Sequence, residues 1–190
     1  MFKNNKSKKN KSFTLIEILV TLAIVVILSG LMFANYPKGG KQLALERASQ
    51  TLSQDIRRAQ EMAMSSVAES GACPGYKTTG YGIFFDESSP FTYIIFRNCN
   101  RTSNRYYESG IDQIKETINI ESGIKICNLK QGSSDDSDNK ISILFEPPDP
   151  TTYIEGSSSA SDASIILCIQ DDTSQQKTIK INIAGSVKIE

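Results

Sequence analysis

FTLIEILVTLAIVVILSGLMFA, residues 13–34, is the stretch on which the reading of the chain turns. These 22 residues hold a single charge, Glu17, near their start. At 1.5 Å per residue a helix of this length rises about 33 Å, enough to cross the hydrocarbon core of a bilayer. A carboxylate at the centre of such a span costs about 2.5–3.5 kcal/mol on insertion scales. Glu17 lies near one end, where the cost is smaller. An acid inside an apolar span is nonetheless a functional suspect that calls for a compensating partner.

The flanks give the span a direction. Residues 1–12, MFKNNKSKKNKS, contain Lys3, Lys6, Lys8, Lys9 and Lys11 and no acid, a charge of +5. The whole chain has 21 basic and 21 acidic residues, so the part after Ser12 carries 16 − 21 = −5. A short basic block before an apolar span marks the cytoplasmic side, which puts the body outside the cytoplasm. A mildly acidic body without a basic patch argues against nucleic acid as a partner.

After the span, NYPKGGK (35–41) holds Pro37, Gly39 and Gly40, which predict a kink or brief break. Helix is then expected to resume. Leu45, Ala48, Leu52, Ile56, Ala59, Ala63 and Val67 recur every three or four residues as one apolar stripe. Glu46, Arg47, Asp55, Arg57, Arg58 and Glu61 fall mostly off it and read as the wet side of the helix. SGACPG ends the segment. The periodicity then changes to short runs rich in Ile, Phe, Tyr and Val: YGIFFD, FTYIIF, ETINI, GIKICNL, ISILF, SIILCI, KTIKINI and SVKIE. In the last two, Ile179, Ile181 and Ile183 alternate with polar residues before Ala184 and Gly185 turn the chain as a hairpin. KQGSSDDSDNK and EGSSSASDAS read as loops, and EPPDP cannot lie in a central strand.

The expected architecture is α+β: a long N-terminal helix, half transmembrane and half amphipathic, packed on one or two antiparallel sheets of about eight strands. Its divisions are a leader at 1–12, a transmembrane helix at 13–36, an amphipathic helix at 37–70 and a β-rich head at 71–190.

Four cysteines, Cys73, Cys99, Cys127 and Cys168, suit an exported domain with two disulfides, for which three connectivities exist. The preferred pairing is Cys73 with Cys99 and Cys127 with Cys168. Buried free thiols at Cys127 and Cys168 are the alternative. The chain has no histidine and no C-x-x-C spacing, so a zinc site is not expected, a Ser-His-Asp or Cys-His arrangement cannot be built, and no cofactor is expected. Asp135, Asp136 and Asp138 are spaced as calcium ligands can be, but lack the glycine and distal glutamate of an EF-hand loop, and read as a solvated acidic loop. No other chemistry stands out, and the chain is expected not to be an enzyme.

The lysine-rich leader, the small Ser12, then Phe13 and Thr-Leu-Ile-Glu opening a long apolar helix resemble the N-terminal signal of type IV pilins and type II secretion pseudopilins. The amphipathic LALERASQTLSQDIRRAQEMAMSS, then YGIFF and the closing IKINIAGSV, are similar to GspH/FimT-like minor pseudopilins. The resemblance implies cleavage between Ser12 and Phe13 by a prepilin peptidase, N-methylation of the new Phe13 terminus, and assembly with other pilin or pseudopilin subunits. Glycine usually precedes the cut in this family; serine here is the next size up. The implied partners are those subunits, the peptidase, an inner-membrane assembly platform and membrane lipid. The implied place is the inner membrane, single-pass, with the head in the periplasm or outside the cell. In a bundle of such helices Glu17 can face the Phe13 ammonium of a neighbour, an ion pair favoured in a low-dielectric setting. Ala23, Ser29, Gly30 and Ala34 offer small side chains for helix packing. A secretory signal peptide would be shorter and end at a small-x-small cut. The other reading is a membrane-anchored extracytoplasmic binding domain that does not polymerise, and secretion, motility, adhesion and DNA uptake stay open as the filament's task.

Overall fold

The computed structural model describes residues 13–65, 73, 77–100, 104–132, 134–135, 139–147, 151–155 and 162–190, with backbone alone for 32–38, 77, 100 and 134–135. Among the described residues one helix, α1, runs Leu15–Ser65. Ten strands follow among the described residues: β1 Lys77–Asp86, β2 Thr92–Asn100, β3 Gln113–Asn119, β4 Ile124–Gln131, β5 Ser134–Asp135, β6 Lys140–Glu146, β7 Thr151–Ile154, β8 Asp162–Ile169, β9 Asp172–Asn182 and β10 Val187–Ile189.

The expected break at residues 37–40 is corrected: α1 is helical through Pro37, Gly39 and Gly40. Proline removes one donor and each glycine costs about 1 kcal/mol relative to alanine. Both flanks are long enough to propagate helix without a new nucleation step, and that outweighs the local loss. Val67, expected on the stripe, lies outside the described residues.

The chain divides into two units, Met1–Gly40 and Lys41–Glu190. In the second, the helical stripe buries Ala44, Leu45, Ala48, Leu52, Ile56, Ala59 and Ala63. Two five-stranded sheets accompany it, ordered β3-β2-β1-β6-β7 and β10-β9-β8-β4-β5, with every pairing antiparallel. Alternation sends Ile83 and Phe85 of β1, Ile141, Ile143 and Phe145 of β6, Ile165 and Leu167 of β8, and Ile179 and Ile181 of β9 into one core with the helical stripe. All eight expected strand segments are present. The terminal hairpin forms as read, with Gly185 at φ +75°, but Ile183 falls in the turn and is exposed rather than in the strand. β5 is an addition in a segment read as loop, and β7 is an addition in TTYI, for which the sequence carried no expectation. β7 follows Pro150 and takes an edge, where a missing donor is tolerated.

Two local devices set the sheets. In β1 a side chain at Gly82 would meet the Phe96 ring at 2.7 Å and the Ile143 carbonyl closer still, so the glycine lets an aromatic ring cover the strand. In β4 the pairing with β8 shifts between Ile126 and Asn128. The extra residue advances the alternation, so Ile124, Ile126 and Leu129 all reach the core while Cys127 is left beside β8.

Candidate functional site

The site begins at the start of α1. The amide of Glu17 donates to Thr14 Oγ1 at 3.3 Å and to the Thr14 carbonyl at 3.1 Å, and the Ile18 amide donates to the same carbonyl at 3.3 Å. Thr14 is therefore the N-cap, and Thr14-Leu15-Ile16-Glu17 has the capping-box spacing S/T-x-x-E with its hydroxyl half formed. Glu17 also adds a negative charge to the first turn, where the helix dipole favours it. Its carboxylate has no hydrogen bond or ion pair among the described residues. The Thr21 hydroxyl donates to the Ile18 carbonyl at 2.9 Å, so the second polar side chain of the run is satisfied within the helix.

From Phe13 to Leu31 every residue is exposed, including Leu15 at 80% and Ile16 and Leu31 at 65%. The apolar residues lie on all sides of the helix rather than on one stripe, and a helix of that kind is ordinarily buried in lipid or among other helices. Among the described residues no helix is long and apolar enough to cross a membrane. The run with described side chains, Leu15–Leu31, rises only about 25 Å, short of the roughly 30 Å hydrocarbon core.

Residues 7–33 match the family model of the prokaryotic N-terminal methylation motif. The chain carries a type IV pilin-like prepilin signal. This signal is the mark of pilin-type proteins that a prepilin peptidase processes and that assemble with other pilins. No curated protein and no solved structure matches the chain.

The remaining predicted positions are placed as follows. Phe13 lies just ahead of the cap and exposed, while Ser12 is outside the described residues. Cys73 is bonded to Cys99 and Cys127 to Cys168, with Cα separations of 5.6 and 5.9 Å, which sets aside free thiols. The second bridge crosses from the irregular position in β4 to β8. Asp135 is in β5, and Asp136 and Asp138 lie outside the described residues. No group of three metal-ligating side chains occurs among the described ones.

The charged residues of the helix between Lys41 and Ser65 keep to its wet side, with Lys41, Arg47, Arg57, Arg58 and Glu61 exposed and Glu46 and Asp55 half-buried, and several of them form ion pairs within the chain. Lys41 pairs with Asp171 at 2.8 Å, Glu46 with Lys177 at 3.3 Å, Arg47 with Glu121 at 2.5 Å, and Arg58 with Asp55 at 3.4 Å and with Glu116. Asp55 also accepts a hydrogen bond from the Tyr93 hydroxyl at 2.5 Å. Burial, together with that bond to a carboxylate, raises the Tyr93 pKa well above that of a free phenol.

Sequence reasoning missed the Thr14 cap, although Thr-x-x-Glu ahead of an apolar run is its signature. It also missed the helix-to-sheet ion pairs, for which no local signal exists.

Proposed function

We propose that this protein is a non-enzymatic structural subunit, similar to GspH/FimT-like minor pseudopilins, of a type IV pilus or type II secretion filament. A prepilin peptidase removes residues 1–12 between Ser12 and Phe13, and the new Phe13 amine is methylated. The apolar segment, which in sequence continues to Ala34, holds the precursor in the inner membrane and then packs against equivalent helices in the filament. The β-rich head stays in the periplasm or outside the cell. The absence of histidine from the chain supports a role without catalysis.

The observation that carries this reading is the methylation motif on a capped helix whose apolar residues are exposed on every side. The cap uses the Glu17 amide and leaves its carboxylate without a partner among the described residues. In lipid an unpaired carboxylate is costly, and pairing with a neighbour's Phe13 ammonium relieves that cost only on assembly. Glu17 thereby favours the assembled state and one axial offset within it, the kind of register role best attested for buried polar groups.

The test is mass spectrometry of the protein in membrane and sheared-filament fractions of cells overproducing the machine. The wild-type chain should start at an N-methylated Phe13 in both fractions. A Glu17→Leu variant should be processed and inserted but lost from sheared material. An intact Met1 terminus overturns the processing. A Glu17→Leu variant that assembles like wild type overturns the pairing.

A further inference from the structure

The two disulfides stand in different surroundings. Cys73 and Cys99 are both 4% exposed, so the first bridge is nearly closed to solvent at each end. In the second, Cys168 is fully buried, while Cys127, displaced at the irregular position in β4, is only half-buried. Cys127 also lines a cavity of about 510 Å³, within the usual size range of small-molecule sites. The cavity lies beside the β1–β2 turn at Glu87 and Pro90, on the face of the second sheet turned away from the core.

The charge of its walls is positive on balance. Lys125 and Lys130 stand against Glu87, whose carboxylate already accepts a hydrogen bond from the Leu129 amide at 2.7 Å. Lys125 is paired across the strands with Cys168, and Cys168 in turn with Gln176. Residues directly opposite in an antiparallel pair share a face, so the Lys125 and Cys168 side chains lie on the same side of the sheet.

We propose that the Cys127–Cys168 bridge is a thiol-exchange site, at which Cys127 is modified by small thiols that carry carboxylates. A thiolate enters the cavity and attacks Cys127 Sγ. The new bond from its sulfur to Cys127 forms as the Cys127–Cys168 bond breaks. The electron pair leaves on Cys168 Sγ, which then takes a proton from water. One disulfide replaces another, so no oxidant or reductant beyond the thiol is consumed. Attack falls on Cys127 because exchange depends on which sulfur can be reached. Lys125 acts on both partners: its ammonium draws in the anion and stands beside the thiolate that departs. Burial disfavours a thiolate at Cys168, and the neighbouring cation offsets that cost. The thiol left at Cys168 can attack the adduct and restore the bridge, which makes the modification reversible. This chemistry is independent of filament assembly.

The test exposes full-length protein in uncharged detergent to reduced glutathione, then applies an acid quench, alkylation of free thiols and peptide mass spectrometry. Glutathione should be found on Cys127 with Cys168 alkylated, while Cys73–Cys99 stays closed. Cysteamine, a cationic thiol, serves as the comparison. Lys125→Gln should lower the ratio of glutathione to cysteamine rates by about threefold or more, the factor that one unit charge gives at roughly 6 Å in water. Both rates are taken on the same protein, so a general loosening of the fold cancels from the ratio. Adducts on Cys168, or opening of Cys73–Cys99 as fast as Cys127–Cys168, overturn the assignment of the sulfur. No adduct on the folded chain overturns the site. An unchanged ratio in Lys125→Gln overturns the role given to Lys125.

Discussion

Tyr93 illustrates how one side chain joins elements that the sequence keeps far apart. It sits on β2 with its ring in the core, 4% exposed, and its hydroxyl donates to Asp55 on the helix, 38 residues earlier. Burial raises its pKa from the ordinary 10.0, and the hydrogen bond to Asp55 raises it further. The folded phenol therefore stays protonated where the unfolded one ionises. A folded pKa above the unfolded value means that this contribution to stability is complete below about pH 10 and declines as pH rises past it. Tyr93→Phe should lower stability at pH 7 by about 1–2 kcal/mol, through the lost bond and the desolvated Asp55. It should also flatten the fall in stability between pH 9 and 11 relative to wild type, measured by denaturant titration. Equal slopes in the two proteins would contradict the assignment.

At the scale of elements, what the sequence disclosed depends on the range of the signal. The stripe from Leu45 to Ala63 repeats at the helical period, and it is the face that α1 buries in the core. The strands could be read because alternation of apolar and polar residues is likewise local. Strand order could not, since β1 sits between β2 and β6, whose pairing partners are chosen by contacts distant in sequence. The same holds for the ion pairs, such as Lys41 with Asp171, 130 residues away. The shift at Cys127 was illegible for a further reason: strict alternation carries no mark of where one strand gains a residue over its partner. At the start of the chain the Thr14–Glu17 cap was visible in the spacing, and the apolar context drew the reading of Glu17 toward a partner instead. The stripe itself yields a prediction. Ile56→Ala removes a fully buried side chain from the core and should destabilise the second unit by about 2–5 kcal/mol in denaturant titration. Arg57→Ala, one residue on and exposed, should change stability by no more than about 0.5 kcal/mol. Comparable losses in the two variants would mean that the helical face is assigned wrongly.

For the whole molecule, the distribution of apolar surface separates what folds from what must be covered. The core cluster begins at Ala44 and draws its remaining members from the helical stripe and both sheets, all within the unit Lys41–Glu190. Both disulfides belong to that unit, closing separations of 26 and 41 residues, for which loop-closure entropy gives about 3.5 and 4 kcal/mol respectively. The exposed apolar side chains from Phe13 to Leu31 lie in the other unit and contribute nothing to this core. A chain starting at Lys41 should therefore be soluble without detergent and unfold in one cooperative transition with both bridges formed. The full-length chain should require lipid or detergent. Shortening costs the head little, since it exposes a new helix start beside Lys41, where a cation opposes the helix dipole by about 0.3–1 kcal/mol. Circular dichroism and a urea titration of the shortened chain decide the matter. A non-cooperative transition, or helix signal lost while the sheets persist, would show that Lys41–Ser65 depends on residues 13–40 for its fold. In that event the apolar segment would be part of the folding unit rather than a surface reserved for membrane and filament.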